Sequence, residues 1–370
     1  MRPDVLSRRA LNRATLARQL LLEPSSRSAL DAIAHLVGLQ AQVPLNPYLG
    51  LWSRLARFEP DDLATLLWDR RVVRIVVMRG TIHLVTADDA LLLRPLVQPV
   101  LDGEMARHRD YAPTLAGVDL TAVLDYARPL LDERPRAVPE LRRLLAERFP
   151  EHDPGALAFA CRNRLALVQV PPRGVWGRRA QVTLATAEGW LDRPLVADPS
   201  VDDVVLRYLA AFGPSTAADM AAWSRLTGFR DVIARLRPRL RSFRDEHGRE
   251  LLDVPDGLFP DPDQPAPTRF LPEYDNLLLS HADRQRYTRD DAAALATDSP
   301  VHGTALSDGS VAATWSLARD GDTTTATATM TVRHLPLARR AVADLEAEAH
   351  RALRFLEPAA AEHVVRLIPV

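Results

Sequence analysis

Residues 60–89, PDDLATLLWDRRVVRIVVMRGTIHLVTADD, change character at their midpoint. The first half reads as a helix. Pro60, Asp61 and Asp62 suit a first turn, where a missing N–H is no loss and acids meet the positive end of the dipole, and Arg70 and Arg71 suit the last turn. Beyond them β-branched residues run to either side of Arg79-Gly80, a pattern that predicts two short strands joined by a turn. A helix feeding a hairpin is how a winged helix ends, so two further helices should precede it. LNRATLARQLL (11–21) and SALDAIAHLVGL (28–39) fill that place. The second carries Leu30, Ile33 and Val37 on one face behind Ser28 as a cap.

The same order recurs downstream. DLTAVLDYARPLL, AVPELRRLLAERFP and GALAFACRNRLALVQVP read as three helices, and LVQVPPRGVWGRRAQVTLA (167–185) as strand, turn and strand. A third copy runs through VDDVVLRYLAAFG, STAADMAAWSRL and GFRDVIARLRPRL into the hairpin SFRDEHGRELLDVP, with His247-Gly248 at its tip. The copies share an order of elements rather than a strict sequence period. In DGLFPDPDQPAPTRF (256–270) the prolines prohibit regular structure and mark a linker. LPEYDNLLLSHADR, SVAATWSLAR and TTTATATMTVRHL then alternate as antiparallel strands do, and LARRAVADLEAEAHRALRFL closes as a helix. The expectation is an α+β chain of three tandem winged-helix (helix-turn-helix) domains, 1–115, 116–198 and 199–257, followed by a small C-terminal antiparallel β-barrel, 258–370.

Composition bounds the chemistry. The 370 residues are 47% hydrophobic, and a single core rarely grows past about 250 residues, so several domains are expected. Net charge is −1, all 47 basic residues are arginine, and a GC-rich coding sequence would also produce that bias. Cys161 is the one cysteine, so no internal disulfide or thiolate cluster can form, and a reducing cytoplasm fits. The first residues interleave arginine and apolar positions at helical period rather than massing a signal core, and no apolar run reaches the ~18 residues of a membrane span. No P-loop, GxGxxG, HExxH, GxSxG or CxxC is present, and the ten histidines are scattered. No metal and no cofactor, nucleotide included, is expected.

LQAQVPLNP (39–47) places two amides two residues apart at a helix exit. Pro44 and Pro47 push Val43 and Asn46 toward extended geometry. In extended chain Gln40 and Gln42 face the same way with Ala41 turned inward. At this point a capped helix end and a polar pair aimed at a reacting centre both fit.

LQAQ, with MRGTIHLVT (78–86) and FLPEYDNLLLSHADR (270–284), resembles the AlkZ/YcaQ-like winged-helix DNA glycosylases, which excise bulky alkylated bases. The resemblance spans essentially the whole chain, and the Gln–aliphatic–Gln form is that of the AlkZ branch, the YcaQ branch having Gln–aliphatic–Asp. It implies tandem winged helices and a β-barrel around a DNA channel. It also implies hydrolysis of bulky N7-alkylated purines, interstrand crosslinks from a DNA-alkylating natural product among them, with Gln40 and Gln42 holding the attacking water. Asn46, Arg79, Thr81 and His83, and Glu273, Tyr274 and Asp275 of LPEYDN, would support that pair. Arg79, Thr81 and His83 alternate on one hairpin strand and so could line one cleft.

The chemistry is consistent with amides. An N7-alkylated guanine is already cationic, so no strong acid need protonate it. Side-chain carbonyls can orient a water and present dipoles to an oxocarbenium-like sugar. An amide is no strong base, which confines such an enzyme to activated lesions.

Double-stranded DNA is the expected partner, and a monomer the expected state. Arg162 and Arg164 in the helix CRNRLAL, the turn with Arg173, Trp176, Arg178 and Arg179, and the cluster Arg284, Arg286 and Tyr287 combine basic and aromatic groups as a DNA surface would. An ordinary solvated loop is the alternative for the turn and for the Arg284 cluster, and the recognition helix of a regulator for Arg162 and Arg164. Two rival readings stand beside the enzyme, a winged-helix transcription regulator and a non-catalytic lesion- or drug-binding protein. Three tandem units in one chain suit a cradle for damaged duplex better than a palindrome-reading dimer.

Overall fold

A computed structural model describes residues 5–295, 302–321 and 326–370. The first helix–hairpin unit holds β1 (Val5–Leu6), α1 (Arg8–Arg18), α2 (Ala29–His35), β2 (Leu39–Gln40), α3 (Asn46–Trp52), α4 (Pro60–Trp68), β3 (Val72–Val76) and β4 (Ile82–Thr86). Ser28 caps α2 as expected, its side chain accepting from the Asp31 N–H. Three helices that the periodicity did not single out follow: α5 (Ala87–Leu96), α6 (Gln98–Arg107) and α7 (Tyr111–Leu115). The second unit is α8 (Leu120–Glu133), β5 (Arg136–Ala137), α9 (Val138–Arg148), α10 (Pro154–Arg164), β6 (Leu167–Gln169) and β7 (Thr183–Thr186). After α11 (Ala187–Leu191) the third runs through α12 (Val201–Phe212), α13 (Ala217–Ser224), α14 (Phe229–Leu236), β8 (Arg241–Asp245) and β9 (Glu250–Asp253).

The hairpins of the first two units are not separate wings. Arg74 and Ile75 of β3 pair with Gln169 and Val168 of β6, which merges them into one sheet of order β2-β4-β3-β6-β7-β5. In the same way β1 adds to β8, tying the start of the chain to the third hairpin. Buried ion pairs weld the units further. Arg18 of α1 meets Asp253 of β9 at 2.6 and 2.7 Å, both side chains shut from solvent. Such a pair gains little over apolar packing but is costly to break, because the survivor is a buried lone charge.

The C-terminal part departs from the expected barrel. It comprises β10 (Arg269–Leu271), α15 (Asn276–Leu279), β11 (Gly303–Ser307), β12 (Ser310–Asp320), β13 (Thr327–His334), α16 (Arg339–Leu356) and β14 (Glu362–Pro369). Strands β10 to β14 form an open sheet in sequence order, and α16 packs Leu345, Ala349, Ala352 and Leu353 against it. Because β14 returns from α16 parallel to β13, the sheet is mixed and ends at β10 and β14 without closing. LPEYDN does not run on as a strand either. After Leu271 it turns into α15, where the Asp275 side chain caps the helix by accepting from the Leu277 N–H at 2.9 Å. Thr323–Thr325 of the expected TTTATATMTVRHL strand lie outside the described residues.

Candidate active site

Glycine, not proline, ends α2. Val37 and Gly38 adopt left-handed φ of 55° and 92°, and the Gly38 N–H closes the helix on the Ile33 carbonyl at 2.9 Å. A Cβ at 38 would sit 2.6 Å from Val85 Cγ1, so both backbone shape and close approach require glycine. The reversal lays Leu39–Gln40 along β4 with Gln40 opposite His83, and Ala41 is then fully buried while Gln42 is exposed. Extension stops soon after. Asn46, expected extended before Pro47, instead opens α3, where Pro47 fits the first turn.

Arg74 of β3 holds the segment from behind. Its guanidinium donates to the carbonyls of Ala41 (2.9 Å) and Pro44 (3.2 Å) and to Gln169 Oε1 (3.1 Å). Burial, and then repulsion from Arg173, pulls it down to about 10, so it remains a cation at neutral pH. A buried arginine bonded to main-chain carbonyls fixes a loop's shape without adding a negative charge beside it.

Arg79 does the same for the Gln40 side chain. It lies in the tight turn Met78–Gly80 at φ 60°, not on the strand as its alternation with Thr81 and His83 suggested. One terminal nitrogen donates to Gln40 Oε1 at 2.7 Å and approaches His83 Nε2 at 3.3 Å, while the other donates to the Trp223 carbonyl of α13 at 2.6 Å. His83 Nδ1 lies 3.0 Å from the Thr81 carbonyl, which can only accept, so Nδ1 carries the proton and Nε2 faces Arg79 as an acceptor. Complete burial, then the Arg79 charge, holds His83 down to about 3 and keeps the ring neutral. The Thr81 hydroxyl bonds back to Met78 and caps the turn instead of lining a cleft. Gln42 Oε1 accepts from the Ile82 N–H at 3.3 Å, a long and weak bond.

The C-terminal loop closes the other side. Asn46 Nδ2 donates to the Glu273 carbonyl (2.8 Å) and Oε2 (3.0 Å), and Asn276 Nδ2 donates to the Gly38 carbonyl (2.6 Å). Arg54 grips Asp275 in a buried bidentate pair at 2.9 and 2.8 Å. Tyr274 holds a left-handed φ of 62° with its ring exposed. Strain of that kind in a non-glycine residue clusters where a protein contacts a ligand. Gln40, Asn46, Tyr274, Asp275 and Asn276 line one cleft of about 10 Å³, close to the volume that holds one water molecule. Gln42 lies outside its lining.

Sequence reasoning passed over Arg54, Arg74 and Asn276. The available signal was an arginine inside an apolar run, VVRIVV for Arg74 and LWSRLARF for Arg54, since a charge at an inward position needs a dedicated partner.

The expected DNA-contacting residues separate. Arg178, Arg179 and Arg284 are exposed. Arg164 is exposed beside Asp102 at 3.2 Å, and Arg162, half-buried, donates to the Gly80 carbonyl at 3.2 Å and thereby braces the Arg79 turn. Arg173 Nη1 bonds the Ala180 carbonyl within its own loop at 2.9 Å. Three residues are misplaced by the sequence reading. Trp176 does not project as a wedge, because its ring packs on Tyr48 (4.9 Å) and Phe355 (5.3 Å). Arg286 is buried and donates to Thr15 Oγ1 and the Pro214 carbonyl, both at 3.1 Å. Tyr287 is fully buried with its hydroxyl on His281. Burial also pushes the Cys161 thiol up to about 12, which leaves it inert.

Among the described residues no cluster of His, Cys, Asp and Glu could hold a metal ion, and no helix is long and apolar enough to cross a membrane. The family model described as DNA glycosylase AlkZ-like matches residues 33–355. Among curated proteins the chain is similar to an interstrand DNA cross-link repair glycosylase of Streptomyces sahachiroi, 25% identical over 248 residues, 65% of this chain. The match spans 64% of the length of that relative. Among solved structures the fold is like that of the Streptomyces sahachiroi DNA glycosylase AlkZ, with a TM-score of 0.76 at 20% identity over 98% of this chain and 100% of that one.

Proposed function

The chain belongs to the AlkZ-like DNA glycosylase family, and from that premise we propose that it hydrolyses the N-glycosidic bond of bulky N7-alkylated purines in double-stranded DNA, interstrand crosslinks included. The relative's name supports the crosslink part. The observation that carries the proposal is the joining of LQAQ to LPEYDN, more than 200 residues apart, around a cleft of water size in which Gln40 is fixed by Arg79.

Gln40, which lines the cleft, and Gln42, which lies outside its lining, divide the work on one water where the cleft opens. With Oε1 turned to Arg79, the Gln40 amide offers its N–H donors to the water oxygen. Gln42, whose carbonyl is only weakly engaged, accepts a hydrogen from that water and presents its dipole to the sugar. The water oxygen bonds C1′, the C1′–N9 bond breaks with its electron pair going to the purine, and the purine's positive charge is quenched. The water's proton passes to solvent, because neither amide can hold it. His83 takes no proton, being buried and neutral.

The three helix–hairpin units, with boundaries near residues 115, 198 and 257, and the C-terminal sheet would cradle the duplex. Arg164, Arg178, Arg179 and Arg284 would neutralise phosphates, and Tyr274 would meet the lesion strand. The chain acts as a monomer, and its chemistry is monofunctional. A lyase forms a Schiff base through an amine, and the chain contains no lysine side chain to supply one. Incubation with a duplex carrying one N7-alkylguanine should release free base and leave an intact abasic strand, with no covalent adduct on borohydride reduction. Tight binding of undamaged duplex without base release would overturn the proposal.

A further inference from the structure

We propose that a second cavity, separate from the Gln40 cleft, receives the apolar substituent of the alkylated base. It rests on the glycosylase reading above. The cavity lies between the joined sheet and helices α7, α9 and α10, and measures about 170 Å³. Its walls include Ile75, Ile82, Tyr111, Leu141, Ala158 and Phe159, with polar groups supplied by Arg142, Arg162 and Gln169. A dry apolar cavity of about 150 Å³ is enough to bind benzene, so this one takes a single aromatic ring or a short branched alkyl group.

Its place in the fold ties it to the reacting centre. Ile82 lines the cavity, and its N–H bonds Gln42 Oε1. Gln169 lines the same cavity and accepts from Arg74, which holds the carbonyl of Ala41 between the two glutamines. The Gln40 cleft has room for about one water and none for a bulky group. A substrate with its C1′ at the glutamines must put its N7 substituent elsewhere, and Ile82, whose N–H bonds Gln42, lines apolar room that can take it. A preference for aryl- or branched-alkyl-bearing lesions over N7-methylguanine follows, since apolar surface leaves water only for the larger group.

The test compares duplexes carrying N7-methylguanine or an N7-benzylguanine, with the parent and with Ala158→Leu and Val182→Phe, two separate variants at residues of the cavity wall that fill it. Equilibrium binding is read with or without excision. The parent should bind the benzyl duplex more tightly than the methyl duplex by about tenfold, and each variant should erase that difference while leaving the methyl duplex unchanged. Persistence of the preference in both well-folded variants, or its absence in the parent, overturns the inference. Binding of free benzyl alcohol in the cavity without any preference among duplexes also overturns it, as a site for free small molecules. Loss of excision with the binding preference intact would sink the glycosylase reading and leave the cavity assignment standing.

Discussion

Arg79 and Gln40, 39 positions apart, meet through a 2.7 Å hydrogen bond from the guanidinium to Gln40 Oε1, and the same guanidinium reaches across to the Trp223 carbonyl of the third helix–hairpin unit. The orientation of the first glutamine is therefore set by a residue that also joins two parts of the fold. Arg79→Ala leaves up to three buried acceptors without their donor, at about 1–3 kcal/mol each. Stability should fall, and kcat should fall by about 10²-fold with KM much less affected, because the amide is misaimed rather than removed. Arg79→Lys, able to replace one bond, should recover part of the rate. An unchanged kcat in Arg79→Ala would show that Gln40 needs no such orientation.

Donor and acceptor roles can be separated by charge. Gln42→Glu keeps the acceptor and adds a negative charge near the developing oxocarbenium, so excision should match or exceed the parent. Gln40→Glu still accepts from Arg79 but loses its donors, and should lose about 10²-fold, as removal of one aligned donor does elsewhere. The opposite ranking in single-turnover rates would reverse the assignment.

Neither His83, held at about 3, nor Arg79, held at about 10, changes charge near neutrality. The excision rate should be flat from about pH 5.5 to 8.5, and a rising limb near pH 6.5 would implicate a histidine base. Stability behaves differently. A histidine whose folded pKa lies below its unfolded value binds fewer protons when folded, so stability is full above 6.5 and declines as pH falls toward 3 for His83. Buried His281, also held well below 6.5, adds to the decline. Each group contributes at most about 1.4 kcal/mol per pH unit. Denaturation midpoints measured across that range should drop on acidification, and His83→Gln should flatten the slope.

DNA affinity should depend on salt despite the net charge of −1. Replacing Arg178 and Arg179 with alanine removes two exposed cations, and the log–log salt slope should shrink by roughly 0.9 for each phosphate that is no longer neutralised. Arg286→Ala should instead lower the melting temperature and leave the slope unchanged, since that guanidinium is spent on Thr15 and Pro214 inside the fold. Equal slopes in parent and double variant would place the DNA elsewhere.

The helix–hairpin units were legible because their signals are local: proline and acids at the start of α4, β-branched runs around Arg79-Gly80, glycine at the tip of the third hairpin. The open sheet was not, since strand alternation is the same in a barrel and in a sheet whose last strand returns in parallel. Around the site, the LQAQ motif was readable but its mounting was not. Gly38 decides where the chain leaves α2 because of Val85, and Asn46 and Asn276 find partners more than 200 residues away, which no short pattern encodes. Tyr287 and Trp176 read as surface aromatics because basic neighbours surround them, whereas their rings pack in apolar clusters supplied by distant helices and strands.

In the proposed mechanism Gln40 and Gln42 together direct water at C1′ of an N7-alkylated purine nucleotide. Single-turnover excision from an N7-alkylguanine duplex by the parent and by Gln40→Ala/Gln42→Ala, with duplex affinity measured for both, tests it most directly. Free base and an abasic strand from the parent, with a loss of about 10²-fold or more in the double variant at near-equal affinity, is the predicted result. Equal rates for the two proteins would contradict it.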